Sequence, residues 1–141
     1  MSVTVNKLFL CSKLSKYAKD PKTINIRDVG YELYSSQDIN ILPNSRALVK
    51  TDLKFTFPFG YYGLIVSLPE LAIKSIDNSS SVIENEIDAI EILVINNSND
   101  VFTVNIGDKI AIMIVNKYYD YYIFMHKSEF QQNLYKILYF I

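Results

Sequence analysis

The stretch VFTVNIGDKIAIMIVN, residues 101–116, decides the reading of this chain. Two β-rich segments meet at Gly107-Asp108, a dipeptide suited to a tight turn between strands. The second segment, KIAIMIVN, is almost wholly apolar and reads as a near-continuous buried strand. The same grammar recurs upstream. ALVKTDLKFTF (Ala47–Phe57) alternates like one half-buried strand and stops at Pro58-Phe59-Gly60. YYGLIVSL (Tyr61–Leu68) follows and stops at Pro69, and IEILVIN (Ile90–Asn96) stops in the polar turn NSND. Apolar runs about every ten residues, divided by turn residues, predict an all-β sandwich or barrel of jelly-roll type. One helical turn is expected near Leu71–Lys74. A domain over 1–116 is expected, followed by an aromatic-rich tail or arm over 117–141, either helical or extended.

Bulk properties narrow the function classes. The chain has 141 residues, half of them hydrophobic and 21% charged, enough for one domain that buries about two-thirds of its unfolded surface. A formal net charge of −1 supplies no global field toward nucleic acid or an anionic membrane, so neither is an expected partner. The early run LFLC is too short for a signal-peptide core, and no apolar stretch reaches the roughly 18 residues of a membrane span. A single cysteine, Cys11, excludes an internal disulfide framework and suits an intracellular, reducing compartment; within its apolar run it is expected to be buried. A single histidine, His126, excludes a Ser-His-Asp triad and a His-rich metal site within one subunit. Heavy use of Ile, Asn, Tyr and Lys suits an AT-rich genome such as that of a DNA virus, which would place the protein in the cytoplasm or nucleus of an infected cell.

Four stretches, read in order, resemble the motifs of the trimeric dUTPases. Asp28–Ser36, DVGYELYSS, is similar to the family's A-G-Y-D-L-Y-S. Gly63–Ala72, GLIVSLPELA, aligns with G-R-(I/V)-A-P-R-S-G-L-A. Ser81–Ala89, SVIENEIDA, aligns with G-V-I-D-x-D-Y-R-G, and Gly107–Ile114, GDKIAIMI, with G-D-R-I-A-Q-L-I. Between the first two, the segment from Asp38 to Gly63 resembles the family's linker, with its T-D-L strand end and glycine turn. All four glycines, Gly30, Gly60, Gly63 and Gly107, fall on family glycines. The resemblance implies a jelly-roll homotrimer with sites between subunits, hydrolysing dUTP to dUMP and diphosphate with Mg²⁺ on the phosphates.

Residue by residue, the resemblance also implies losses. Glu84 stands where the family's water-positioning Asp stands, a carboxylate longer by one methylene. Ile87 replaces the Tyr under the deoxyribose, next to the acid Glu86. Leu68 and Pro69 replace the phosphate-binding Arg and Ser; leucine brings no charge, and proline brings neither hydroxyl nor N–H. Leu64 replaces a further Arg, and Ile112 the fourth-motif Gln. Ser81 and Ala89 replace the glycines that open and close the third-motif hairpin, and no counterpart of the glycine-rich fifth motif follows Gly107. Glu84, Glu86 and Asp88 would share one strand face if that stretch is extended, but a solvated acidic hairpin is the preferred reading over a metal site. Glu32 keeps the first-motif acid.

These losses lead to the expectation of a catalytically inactive, dUTPase-like trimer with no cofactor. It would bind another protein, such as a host protein, through surface loops or the terminal Tyr139, Phe140 and Ile141, whose packing on a neighbouring subunit is the plainer alternative. The alternative is a Mg²⁺-dependent dUTP diphosphatase of weak or altered activity, with Glu84 positioning water and Glu32 or Asp108 near the metal.

Overall fold

The computed structural model describes residues 9–24, 30–85 and 88–118. Twelve strands and one short helix form among them. The elements are β1 (Leu10–Lys13), β2 (Lys22–Thr23), β3 (Gly30–Tyr34), β4 (Ile39–Ile41), β5 (Ser45–Lys50), β6 (Leu53–Thr56), β7 (Tyr61–Val66), α1 (Pro69–Ala72), β8 (Ile76–Asn78), β9 (Ser81–Ile83), β10 (Glu91–Asn96), β11 (Phe102–Val104) and β12 (Lys109–Lys117). The expected all-β jelly roll is what forms.

A five-stranded sheet runs β2-β3-β12-β7-β9, and a three-stranded sheet runs β5-β10-β8; the pairs β1-β6 and β11-β4 complete the layers, all antiparallel. Inward residues of both larger sheets, among them Leu33, Val49, Ile65, Ile92, Val94 and Met113, form one core. Period-2 burial along β10, with Ile92, Val94 and Asn96 inward, follows directly from the sequence alternation. Asn96 is fully buried and earns its place with its amide: Nδ2 donates to Ile41 O at 3.0 Å and Asp100 O at 2.8 Å, while Oδ1 accepts from Ser98 Oγ at 2.6 Å.

Three expectations need correction. The Ala47–Phe57 run is two strands, not one. It breaks at Thr51-Asp52, where Asp52 takes φ 52°. Buried Thr51 bonds Ile90 O at 2.6 Å, and Ser15 donates to the Asp52 carboxylate at 2.7 Å, so the kink is held by partners the alternation pattern does not reveal. Next, β12 is not covered on both faces: Ile110, Ala111 and Met113 are buried, and Ile112 and Ile114 only half-buried. The adjacent buried pair marks a β-bulge, where the pairing with β3 steps from Lys109↔Tyr34 to Ala111↔Leu33. Finally, Cys11 is exposed rather than buried, because all four residues of β1 lie outward on a two-stranded edge. Its sulfur faces an apolar hollow, and that partial burial, with Asp20 nearby, pushes the thiol up in pKa.

The helical turn forms two residues earlier than expected, at Pro69–Ala72, because proline's fixed φ favours the first helical position. Gly63 is required by space: a Cβ there would meet Met113 Sδ at 2.9 Å and Phe57 Cζ at 3.0 Å. Gly107 turns with φ 89°, a conformation that suits glycine. Among the described residues no helix is long and apolar enough to cross a membrane. Glu86, Ile87, His126 and Tyr139–Ile141 lie outside the described residues, as does most of the tail; β12 itself continues through Lys117, and the Tyr118 N–H bonds Gly60 O at 2.8 Å.

Candidate active site

Strand register assembles the first part of the site. Glu32 on β3 lies opposite Ile112 on β12, which lies opposite Val66 on β7. All three sit on the outer face, and the chain leaves β7 through Leu68 into α1. The Leu68 carbonyl accepts the N–H groups of Leu71 at 3.1 Å and Ala72 at 2.9 Å, while its side chain is buried. Leu68 therefore anchors the turn in the core and presents nothing to a ligand. Pro69 starts the helix, and Glu70 projects into solvent.

The fold then joins residues far apart in sequence. Lys109 Nζ lies 2.9 Å from Glu70 Oε1 and 3.3 Å from Glu32 Oε1. The Tyr34 hydroxyl donates to Glu32 Oε2 at 2.6 Å, and Lys19 Nζ sits 3.9 Å from the centre of the Tyr34 ring. Each group shifts as these contacts demand. The Tyr34 phenol is pushed up to about 12 by burial and by its bond to Glu32. Glu32 is held below the usual carboxylate range, first by the Tyr34 hydroxyl and then by Lys109. The Lys109 bond lowers Glu70, and Glu70 in turn raises Lys109. Sequence reading missed Lys109, Glu70 and Tyr34 as site groups. The available signal was Lys109 itself, a cation retained where the fourth motif has Arg.

The second part lies across the sheet. β9 ends at Ile83, so Glu84 and Asp88 stand in a loop and the expected row of acids on one strand face does not form among the described residues. Glu84 is exposed. Its neighbour Asn85 accepts the Phe57 N–H at 2.7 Å, which ties the loop to the end of β6. Between β9 and β10 lies a concavity of about 240 Å³ lined by Ser81, Val82, Ile83, Ala89, Ile90 and Glu91. Three strand spacings separate β3 from β9 in the sheet order, roughly 14 Å. No hydrogen bond or ion pair among the described residues joins Glu84 to the Glu32–Lys109 cluster. Asp108 is bonded into its own turn, its carboxylate accepting the Asn105 N–H at 2.8 Å.

No group of three metal-ligating side chains forms among the described residues. Glu32 keeps lone pairs beyond those facing Tyr34 and Lys109, so it suits a hard cation that brings its remaining oxygens with it.

A family model described as dUTPase matches residues 16–136. The deoxyuridine 5'-triphosphate nucleotidohydrolase of Monkeypox virus is 34% identical over 119 residues, covering 84% of this chain and 79% of that protein. The Vaccinia virus (strain Copenhagen) relative of the same name is also 34% identical, with 84% and 81% covered. Among solved structures, a mutant dUTPase from phage phi11 of S. aureus, described for its coordination of a structural Mg(II) ion, superposes with TM-score 0.79 at 19% identity, over 86% of this chain and 97% of that one. The Staphylococcus bacteriophage 80alpha dUTPase with dUpNHpp superposes with TM-score 0.78 at 18% identity, over 86% and 89%.

These relatives overturn the expectation that the chain is not an enzyme: over most of its length it matches proteins named as hydrolases. That expectation counted lost side chains position by position, whereas the fold brings Lys109 of β12 to within 2.9 Å of Glu70 in the turn after β7, a contact invisible in the linear sequence. With the family model spanning most of the sequence and the relatives agreeing with it over four-fifths of the chain, this protein belongs to the dUTPase family.

Proposed function

We propose that this chain is a Mg²⁺-dependent dUTP diphosphatase of altered activity, working as a homotrimer. The observation that carries the reading is its 34% identity, over 84% of its length, to nucleotidohydrolases of dUTP. The retained carboxylates support it. Glu84, beside the β9–β10 concavity, positions and deprotonates the attacking water. That water adds to the α-phosphorus, the α–β phosphoanhydride bond breaks, and diphosphate leaves. Glu32 is the residue that would hold the metal. Mg²⁺, bound with the substrate, neutralises phosphate charge and supplies Lewis acidity.

Trimer assembly follows from the separation within one chain. Glu84 and Glu32 lie on opposite sides of a sheet about three strand spacings wide, so a compact site needs the β9 loop of one subunit against the β3–β12 corner of another. Leu64, Leu68, Pro69 and Ile112 replace polar ligands with apolar ones, which weakens substrate binding relative to the viral relatives. The test is diphosphate release from dUTP by the purified protein with Mg²⁺ and with excess chelator. Release that the chelator abolishes is expected. No release, together with no dUTP-induced change in melting temperature, would defeat the proposal.

A further inference from the structure

We propose that Asn85 is a positioning residue: its side chain pins the backbone next to Glu84 and so sets how far that carboxylate reaches. The inference rests on the hydrolase reading above for the role of Glu84; the role of Asn85 is its own claim.

Glu84 stands between two anchors, one residue away on either side. Before it, Ile83 ends β9 buried in the core and lies opposite Gly63 in the β9–β7 ladder. After it, Asn85 Oδ1 accepts the Phe57 N–H at 2.7 Å. Phe57 is a firm point to tie to. It is buried, its ring stacks on Phe55 with centroids 6.0 Å apart, and it meets Phe9 edge-on. Its Cζ lies 3.0 Å from where a Cβ on that same Gly63 would stand, so both anchors converge on one close-packed place. The far end of the loop returns to β6 as well, where the Ile90 N–H donates to Leu53 O at 2.8 Å. β6 and the residue that follows it therefore brace the loop on both sides of its acids. At the Glu84 end that brace is a side chain, which substitution can remove.

The anchors decide reach. Glutamate carries its carboxylate about 1.5 Å further from the backbone than aspartate does. With residues 83 and 85 both held, the backbone cannot shift to absorb a change in side-chain length, and the loop is matched to glutamate. A displacement near 1 Å in a preorganised site can cost about a hundredfold in rate. Shortening Glu84 to the aspartate of the family motif therefore lowers turnover here. Untying the loop also lowers turnover, yet it shrinks the penalty of shortening, because a freed backbone can carry the shorter acid forward.

The test is steady-state hydrolysis of dUTP with Mg²⁺ by the full chain, as a double-mutant cycle over residues 84 and 85. Asn85→Ala should lower kcat about tenfold while KM moves less than about threefold. Asn85→Asp, which keeps an oxygen acceptor at the same reach, should restore most of the loss. Glu84→Asp should lower kcat about tenfold or more in the natural chain and about threefold or less in Asn85→Ala. A contact serving structure alone would lower the melting temperature and leave the Glu84→Asp penalty the same in both backgrounds. Equal penalties, a kcat indifferent to Asn85→Ala, or a Glu84→Asp variant faster than the natural chain overturns the proposal. If Asn85→Ala does not fold, Asn85→Gln, whose longer amide misplaces the acceptor, takes its place with the same expectations. No turnover in the natural chain defeats the hydrolase reading and this inference together, whereas turnover with equal penalties defeats this inference alone.

Discussion

The β3–β12–α1 corner and the β9–β10 loop each carry acids, yet they treat them differently. At the corner, Glu32 and Glu70 share a lysine and Glu32 also holds a tyrosine, so their charges are matched and their positions fixed. In the loop, Glu84 stands exposed beside a concavity that Glu91 also lines, and the local tether is the amide of Asn85 rather than a carboxylate. A matched carboxylate is suited to holding something in place. Under the proposed function the matched Glu32 would hold the metal and the exposed Glu84 positions the water, a division of labour between two distant acids.

Substitution can break the comparison at either end. The largest effect belongs to the loop: Glu84→Gln should cut dUTP turnover about a hundredfold or more while leaving the melting temperature near its natural value, as steady-state kinetics and a thermal melt would show. A melt as sensitive as the kinetics would make Glu84 a structural residue and erase the contrast. Next comes Asn85→Ala, which strips the Phe57 N–H of its acceptor. A loss of about 1–2 kcal/mol in denaturant unfolding is expected, with a smaller fall in turnover as the loop loosens.

The smallest effect sharpens the corner. Glu32 and Glu70 have lowered pKa values, so their contribution is present above the ordinary carboxylate range and fades as pH falls through their folded values. Lys109 is raised, so its contribution is full below its usual 10.5 and fades as pH rises through its folded value. The corner should therefore stabilise the protein most between about pH 5 and 10. Because all three side chains meet water, the gain is at most about 1 kcal/mol. Melts at pH 3.5, 7 and 11 should show a flatter profile in Lys109→Gln than in the natural chain.

How far the sequence reached is clearest at particular residues. The fold was legible because turn chemistry and alternation agree: Gly107 takes a positive φ, Gly63 meets Met113 and Phe57, and β10 alternates as written. The break at Thr51-Asp52 was not legible. Apolar alternation continues across it, and the partners that hold it, Ser15 and Ile90, lie far away in sequence. Motif order nominated Glu84, which stands exposed in the loop after β9. The cluster of residues 32, 34, 70 and 109 was not legible, since only strand register brings them together. Judging the chain inactive was the cost of reading ligands along a line when the binding surface is assembled across a sheet.

The bulge at Lys109–Ala111 has a further consequence. Ala111 and Met113 point to the interior, and strict alternation would send residue 109 the same way. The extra residue, Ile110, takes the interior position instead and flips the lysine to the outside. One inserted residue thus determines whether an ammonium faces oil or water, and shortening β12 there by a single residue would drive that charge into the hydrophobic interior.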